Sequence, residues 1–233
     1  MDDLQQPERR IKEHWLTRKP TPQAWFAPLV LFFLLYGIQA LFEANIGGLQ
    51  NLLMANSEQV FQQRQYWRLW TALFVHADFG HIASNSLLFF PLAYYLYGYY
   101  GFWLFPFLGI ALGGVLNVFV LQGLAPQTNL LGISGVVYWM AAVWSMLYLM
   151  IERRDSWRRR IAKVALVTVV LLVPETYRPE VSYISHFWGY VGGVIVGWIW
   201  FRIHRRQFQE AEVYEDIVTE PEVKAEVIIG DSL

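Results

Sequence analysis

The sequence predicts an all-α membrane protein, a bundle of six transmembrane helices. Three observations carry that prediction. The chain is 55% hydrophobic and only 16% charged, whereas average globular domains are about 45–50% apolar and about 25% charged. The charges are segregated: no Asp, Glu, Lys or Arg lies between Lys19 and Glu43, between Asp78 and Glu152, or between Glu180 and Arg202. The middle gap alone has room for three spans of about 20 residues each. Finally, the basic residues alternate between loops in a way that only an even number of spans satisfies.

The spans follow in order. The first covers residues 24–44, with Pro22 and Pro28 near its start, where proline is best tolerated; it is long enough to cross a bilayer and is not read as a signal core. The second runs over 80–97 and the third over 101–121, separated only by Gly98-Tyr99-Tyr100-Gly101. Residues 123–129, with Pro126, separate the third span from the fourth, at 133–151. The fifth, 161–177, is the weakest signal, because only Val164–Pro174 is free of charge. The sixth covers 182–201. The chain thus divides into a segment 1–23, a six-span domain 24–201 and a tail 202–233, basic at first, then acidic and expected to be disordered. Between the first two spans, Gly47–Asp78 carries Leu52, Leu53, Val60, Phe61, Tyr66, Trp67 and Trp70, apolar enough to lie in the membrane interface.

Orientation follows from the loop charges. Arg9, Arg10, Lys12, Arg18 and Lys19 precede the first span. Arg153, Arg154, Arg158, Arg159, Arg160 and Lys163 follow the fourth, and Arg202, Arg205 and Arg206 follow the sixth. The alternate loops hold only Arg64, Arg68 and Arg178. Both termini are therefore expected in the cytoplasm. The net charge of −1, with basic residues held beside apolar runs, gives no reason to expect a nucleic-acid partner. With no cysteine, disulfides, zinc thiolates and a cysteine nucleophile are excluded.

The same topology selects candidate functional residues. The second, fourth and sixth spans run in one direction, so their N-terminal ends share the outer side. At those ends lie His81 and Asn85, Ser134, and His186. Gly132-Ile133-Ser134-Gly135 sets a serine among residues that permit a tight turn, and a histidine within reach can take its proton. By themselves these residues have structural readings as well: a helix-cap serine, a packed histidine, and a helix-joining His81–Asn85 pair. Gly189 and Gly193 form a close-packing face that also carries His186. Ser134 and Tyr138 share a face at i, i+4, so His186 is expected between the serine and the tyrosine ring. His81 and Asn85 are spaced to aim two donors at one point, as an oxyanion hole requires, with the Ser134 N–H as a further donor. No carboxylate lies in the core, leaving a dyad and no triad. His76 and His81 at i, i+5 do not share a helical face and no His-Glu-x-x-His run occurs; neither metal nor cofactor is expected.

In Trp67-Arg68, His76, His81, Asn85, Gly132-Ile133-Ser134-Gly135, Tyr138, His186, Gly189 and Gly193, the chain resembles the rhomboid intramembrane serine proteases, most closely their six-span bacterial type. The resemblance covers residues 66–201. It implies Ser134 as nucleophile and His186 as base, with His81, Asn85 and the Ser134 N–H binding the oxyanion. Tyr138 would pack on His186, and Trp67-Arg68 would shape a lateral loop. Transmembrane protein substrates, the lipid bilayer as solvent and a bacterial inner membrane are likewise implied. Many relatives carry a glutamate near the cytoplasmic end of the second span; here the stretch from Ala93 to Gly101 holds Tyr97. A second reading from a different class is a non-catalytic rhomboid-like binder or adaptor for client transmembrane helices.

Overall fold

The computed structural model describes residues 9–172 and 182–217. Its elements are strand β1 (Arg9–Glu13), helix α1 (Phe26–Glu43), short helices α2 (Leu49–Leu53) and α3 (Arg68–Thr71), and the helices α4 (Phe79–Phe102), α5 (Gly109–Gln122), α6 (Ser134–Ile151), α7 (Trp157–Val167) and α8 (Tyr183–Glu210), followed by strand β2 (Val213–Asp216). Among the described residues, four helical segments are long and apolar enough to cross a membrane: Pro22–Glu43, Phe79–Gln122, Ser134–Ile151 and Tyr183–Glu210. The second of these is two helices. Gly101 leaves the helical region at φ 78° and ψ −176°, and Phe105 is extended. The expected fifth span begins as α7 and continues in wider turns over Thr168–Leu172; its remainder, with Arg178, lies outside the described residues.

Side-chain contacts give the helix directions. Trp25 meets Tyr94 and the Tyr36 hydroxyl meets Ser86, so α1 and α4 are antiparallel. Tyr95 lies against Trp144 near the far ends of α4 and α6, while His81 and Ser134 share a cavity at their starts, so these two run parallel. In α8, Gly189 faces Gly135 and Gly197 faces Met146, which makes α6 and α8 parallel. Gly192 against Leu116 and Gly123 against Ile184 make α5 antiparallel to α8. The three helices expected to share a direction therefore share it, and α5 doubles back after Gly101.

Helices α6 and α8 meet along a close-packed seam. A Cβ at Gly189 would stand 2.2 Å from the Gly135 carbonyl oxygen, and one at Gly193 would stand 2.3 Å from that of Trp139. Only hydrogen at these positions lets the backbones approach, and close approach is what associates helices where lipid removes the hydrophobic drive. The central helix α6 buries Val136, Val137, Tyr138, Trp139, Met140 and Val143 between its neighbours.

At the end of the bundle where α6 and α8 finish, β1 and β2 pair antiparallel, Arg9 opposite Asp216 and Arg10 opposite Glu215. The boundary expected at Phe201 lies inside α8, which continues to Glu210. The first part of the tail is thus helix and strand through Asp216, while 218–233 lie outside the described residues: Phe208 is buried against Trp15 and Phe201, and Arg153 binds both oxygens of Glu212 at 3.1 Å. Buried His14 donates from Nε2 to Glu152 at 2.9 Å, because its Nδ1 already accepts the Leu16 N–H. Near the expected glutamate position, Tyr99 donates its hydroxyl to the Arg18 carbonyl, and the Thr21 N–H reaches the Gly98 carbonyl. These bonds anchor that end of α4.

Candidate active site

Ser134 is the first residue of α6 and is half-buried. Its loop is held from below. Gly132 has φ +113°, a conformation that side-chain-bearing residues rarely adopt, and its N–H donates to the Ala72 carbonyl at 2.9 Å. The next N–H, of Ile133, donates to His76 Nε2 at 3.2 Å. His76 is fully buried and clasped by Gln39: its own N–H donates to Gln39 Oε1 at 2.8 Å, and its carbonyl accepts from Gln39 Nε2 at 3.1 Å. Burial, reinforced by His81 and opposed by Asp78, pushes the His76 pKa down from 6.5 to about 3. The ring is thus neutral at physiological pH, the form that accepts at Nε2.

His186 sits one turn into α8, whose first turn is capped by the Ser182 hydroxyl accepting the Ser185 N–H. It is 4% exposed and stacks on Tyr138 with ring centroids 3.8 Å apart and planes 13° from parallel. Tyr138 is fixed in turn by its hydroxyl, which donates to the Leu172 carbonyl at 2.6 Å. Neither ring nitrogen of His186 has a hydrogen-bond partner among the described residues.

Opposite stand the residues of α4. Asp78 caps this helix by accepting the His81 N–H at 2.7 Å. One turn on, Asn85 has its Nδ2 buried and without a hydrogen-bond partner among the described residues. His81, Asn85, Ser134, Tyr138 and His186 line one cavity of about 20 Å³, the size that holds about one water. His81 and Ser134 also border a larger cavity of about 270 Å³ lined by Ser182, Ser185 and Leu130, which continues the small one toward the loops. Five expected site residues are thereby brought together.

The remaining expected residues do not line this cavity. Gly135 faces the Ser185 hydroxyl, which a Cβ would approach to 2.6 Å; Gly189 and Gly193 form the seam already described. Arg68 is buried and donates through one nitrogen to the carbonyls of Asn51, Leu52 and Met54 at 2.7–2.9 Å, fastening α2 to α3. Trp67 is exposed, while Trp70 packs on Gly114 and donates to the Ala111 carbonyl. Sequence reasoning gave no role to Gln39, to Ser185 or to His76 as a loop support. Gln39 and His76 carried a usable signal, as polar residues in or beside apolar runs that must find partners when buried.

Residues 63–203, more than half of the chain, match the rhomboid domain. The chain belongs to the rhomboid family. The comparison with individual curated proteins returns no match. The matched region of this rhomboid runs from the Arg64–Arg68 loop through most of α8, and so contains every residue of the cavity. Among the described residues, no group of three or more His, Cys, Asp or Glu is placed to hold a metal ion.

Proposed function

We propose that this rhomboid is an intramembrane serine protease that hydrolyses a peptide bond in or next to a transmembrane segment of membrane-protein substrates. The observation that carries the reading is His186, which is buried, stacked on Tyr138, unpartnered at both ring nitrogens and in one cavity with Ser134. Leaving buried polar atoms unpaired costs roughly 1–3 kcal/mol each; among the described residues the loop-supporting His76 bonds through Nε2 and leaves only Nδ1 unpaired, whereas His186 leaves both ring nitrogens unpaired. A base waiting for a serine proton and a substrate accounts for it.

In the reaction, the Ser134 oxygen bonds to the scissile carbonyl carbon while its proton passes to His186. The carbonyl oxygen takes the negative charge and receives hydrogen bonds from His81, Asn85 Nδ2 and the Ser134 N–H, at the positive end of α6. The C–N bond then breaks, and His186 returns the proton to the leaving amine. Water, deprotonated by His186, attacks the acyl-enzyme, and the serine leaves with that proton. The substrate helix must unwind locally first, because its carbonyls are hydrogen-bonded internally.

The alternation of basic loops supports six spans with both termini in the cytoplasm, and the likeness to six-span bacterial rhomboids supports a bacterial inner membrane. Reporters fused within 153–160 should read cytoplasmic and those within 47–63 external; the reverse pattern would refute this orientation. Covalent labelling of the purified protein by a fluorophosphonate tests the chemistry. Ser134→Ala should abolish labelling and cleavage of a model transmembrane substrate, and His186→Ala should reduce both strongly. Folded wild-type protein that neither labels nor cleaves but retains client helices would be a binder instead.

A further inference from the structure

At the end of the bundle opposite the serine, α6, α7 and α8 enclose a cavity of about 450 Å³ whose lining includes Arg153, Trp157, Arg160, Trp198, Arg202 and Arg205. Its floor is Leu149–Ile151, the last turn of an apolar spanning helix, so the cavity straddles the level where hydrocarbon gives way to water. The tryptophans suit that level. Each also carries an arginine over its ring: Arg160 lies 4.9 Å from the Trp157 centroid and Arg202 lies 5.5 Å from that of Trp198.

Charge in the cavity is unbalanced. Among the described residues the one acid that lines it, Glu212, is already held by both its oxygens to Arg153 and accepts the Tyr214 hydroxyl. Arg160 spends one nitrogen on the Leu149 carbonyl, and its Nε is buried without a partner among the described residues. Arg202 and Arg205 are exposed and make no ion pair among the described residues. Three guanidinium groups therefore face one space with donors to spare, an arrangement that recognises phosphate oxygens. One turn toward the membrane from Trp157 and Trp198, on the same helix faces, Ile161 and Ile195 are 44% and 52% exposed.

We propose that this cavity binds the phosphate head group of an anionic phospholipid, with an acyl chain lying along Ile161 and Ile195. A free phosphate would use the arginines but not the apolar skirt. A lipid uses both, and basic pockets between transmembrane helices are where such head groups lodge. The site lies at the far end of the bundle from Ser134 and does not depend on catalysis.

Native mass spectrometry of the full chain, released from mixed phosphatidylglycerol and phosphatidylcholine nanodiscs, counts the lipids that stay bound. Wild type should retain phosphatidylglycerol in preference to phosphatidylcholine. Each charge-assisted hydrogen bond from an arginine to a phosphate oxygen is worth about tenfold in affinity, so Arg202→Ala/Arg205→Ala should lower that retention by about 100-fold. Arg158→Ala/Arg159→Ala removes the same charge from exposed positions outside the cavity and should leave retention within about twofold. Equal loss in both double variants would overturn the proposal in favour of general surface charge. Equal retention of the two lipids by wild type would overturn it outright. Complete displacement of phosphatidylglycerol by millimolar inorganic phosphate would make the cavity a small-anion site and refute the lipid.

Discussion

Gly189→Ala should damage this rhomboid far more than one methyl group suggests, and the structure says by how much. The new Cβ would stand 2.2 Å from the Gly135 carbonyl oxygen and 3.0 Å from its carbon. An ordinary contact begins near 3.4 Å, so the backbones of α6 and α8 must part by about 1 Å. No side-chain rotation relieves the clash, because the obstructing atoms are backbone. Overpacking of this kind costs about 1–3 kcal/mol. The displacement also falls at the site, since Gly135 follows Ser134 and Gly189 lies one turn from His186. A misplacement of about 1 Å costs about 10²-fold in a reaction that depends on alignment. Gly192→Ala is the control: its Cβ would meet the flexible tip of Leu116 at 3.2 Å and the Trp139 ring at an ordinary 3.6 Å, and no backbone atom among its nearest neighbours. The measurements are the thermal midpoint in detergent and the fluorophosphonate labelling rate of the folded fraction. Gly189→Ala with wild-type values of both, or Gly192→Ala damaged equally, would refute the close-packed seam as the element that aligns the site.

Three further outcomes are expected. His81→Ala and Asn85→Ala should each lower cleavage by about 10²–10³-fold with little change in thermal midpoint; unfolding of both with intact specific activity would make them structural. His76→Leu removes the acceptor for the Ile133 N–H and leaves that buried donor unpaired, costing about 1–3 kcal/mol, with labelling of Ser134 slowed as its loop loosens; an unchanged melting curve would remove His76 from this role. Glu152 lies just past the end of α6, where burial would raise its pKa, but hydrogen bonds from Arg154 and His14 outweigh burial and bring it from 4.5 down to about 2. Because the folded form holds the ionised carboxylate, this stability is fully present above about pH 4.5 and is lost as pH falls toward about 2. Glu152→Gln should thus lower the melting temperature at pH 7, with the difference shrinking below about pH 4.5 and converging on wild type near pH 2; a pH-independent difference would refute the linkage.

Much of the molecule was legible in its amino acids because transfer into lipid is a local property. Each long uncharged run between Lys19 and Glu43, or Asp78 and Glu152, declares its own preference for the bilayer whatever surrounds it. From the shared direction of alternate spans it followed that His81, Asn85, Ser134 and His186 lie at one depth, and the small residues at 189 and 193 marked the face along which α8 meets α6. Tyr138 beside the His186 ring was expected from the Ser134–Tyr138 spacing together with the glycine face that carries His186, and from the resemblance to rhomboids.

Other features required the tertiary structure, for a consistent physical reason: they depend on backbone groups meeting residues remote in sequence. The loop before Ser134 is irregular, so no periodicity reveals that its Ile133 N–H needs an acceptor or that His76, secured by Gln39, supplies it. The ordered tail is a second case. Residues 202–216 read as a solvated charged segment, yet α8 extends to Glu210 and β2 finds β1 at the opposite end of the chain, with Arg9 and Arg10 opposite Asp216 and Glu215. Composition determined which segments leave water; only packing decided which polar atoms, brought out of water, find partners and which do not.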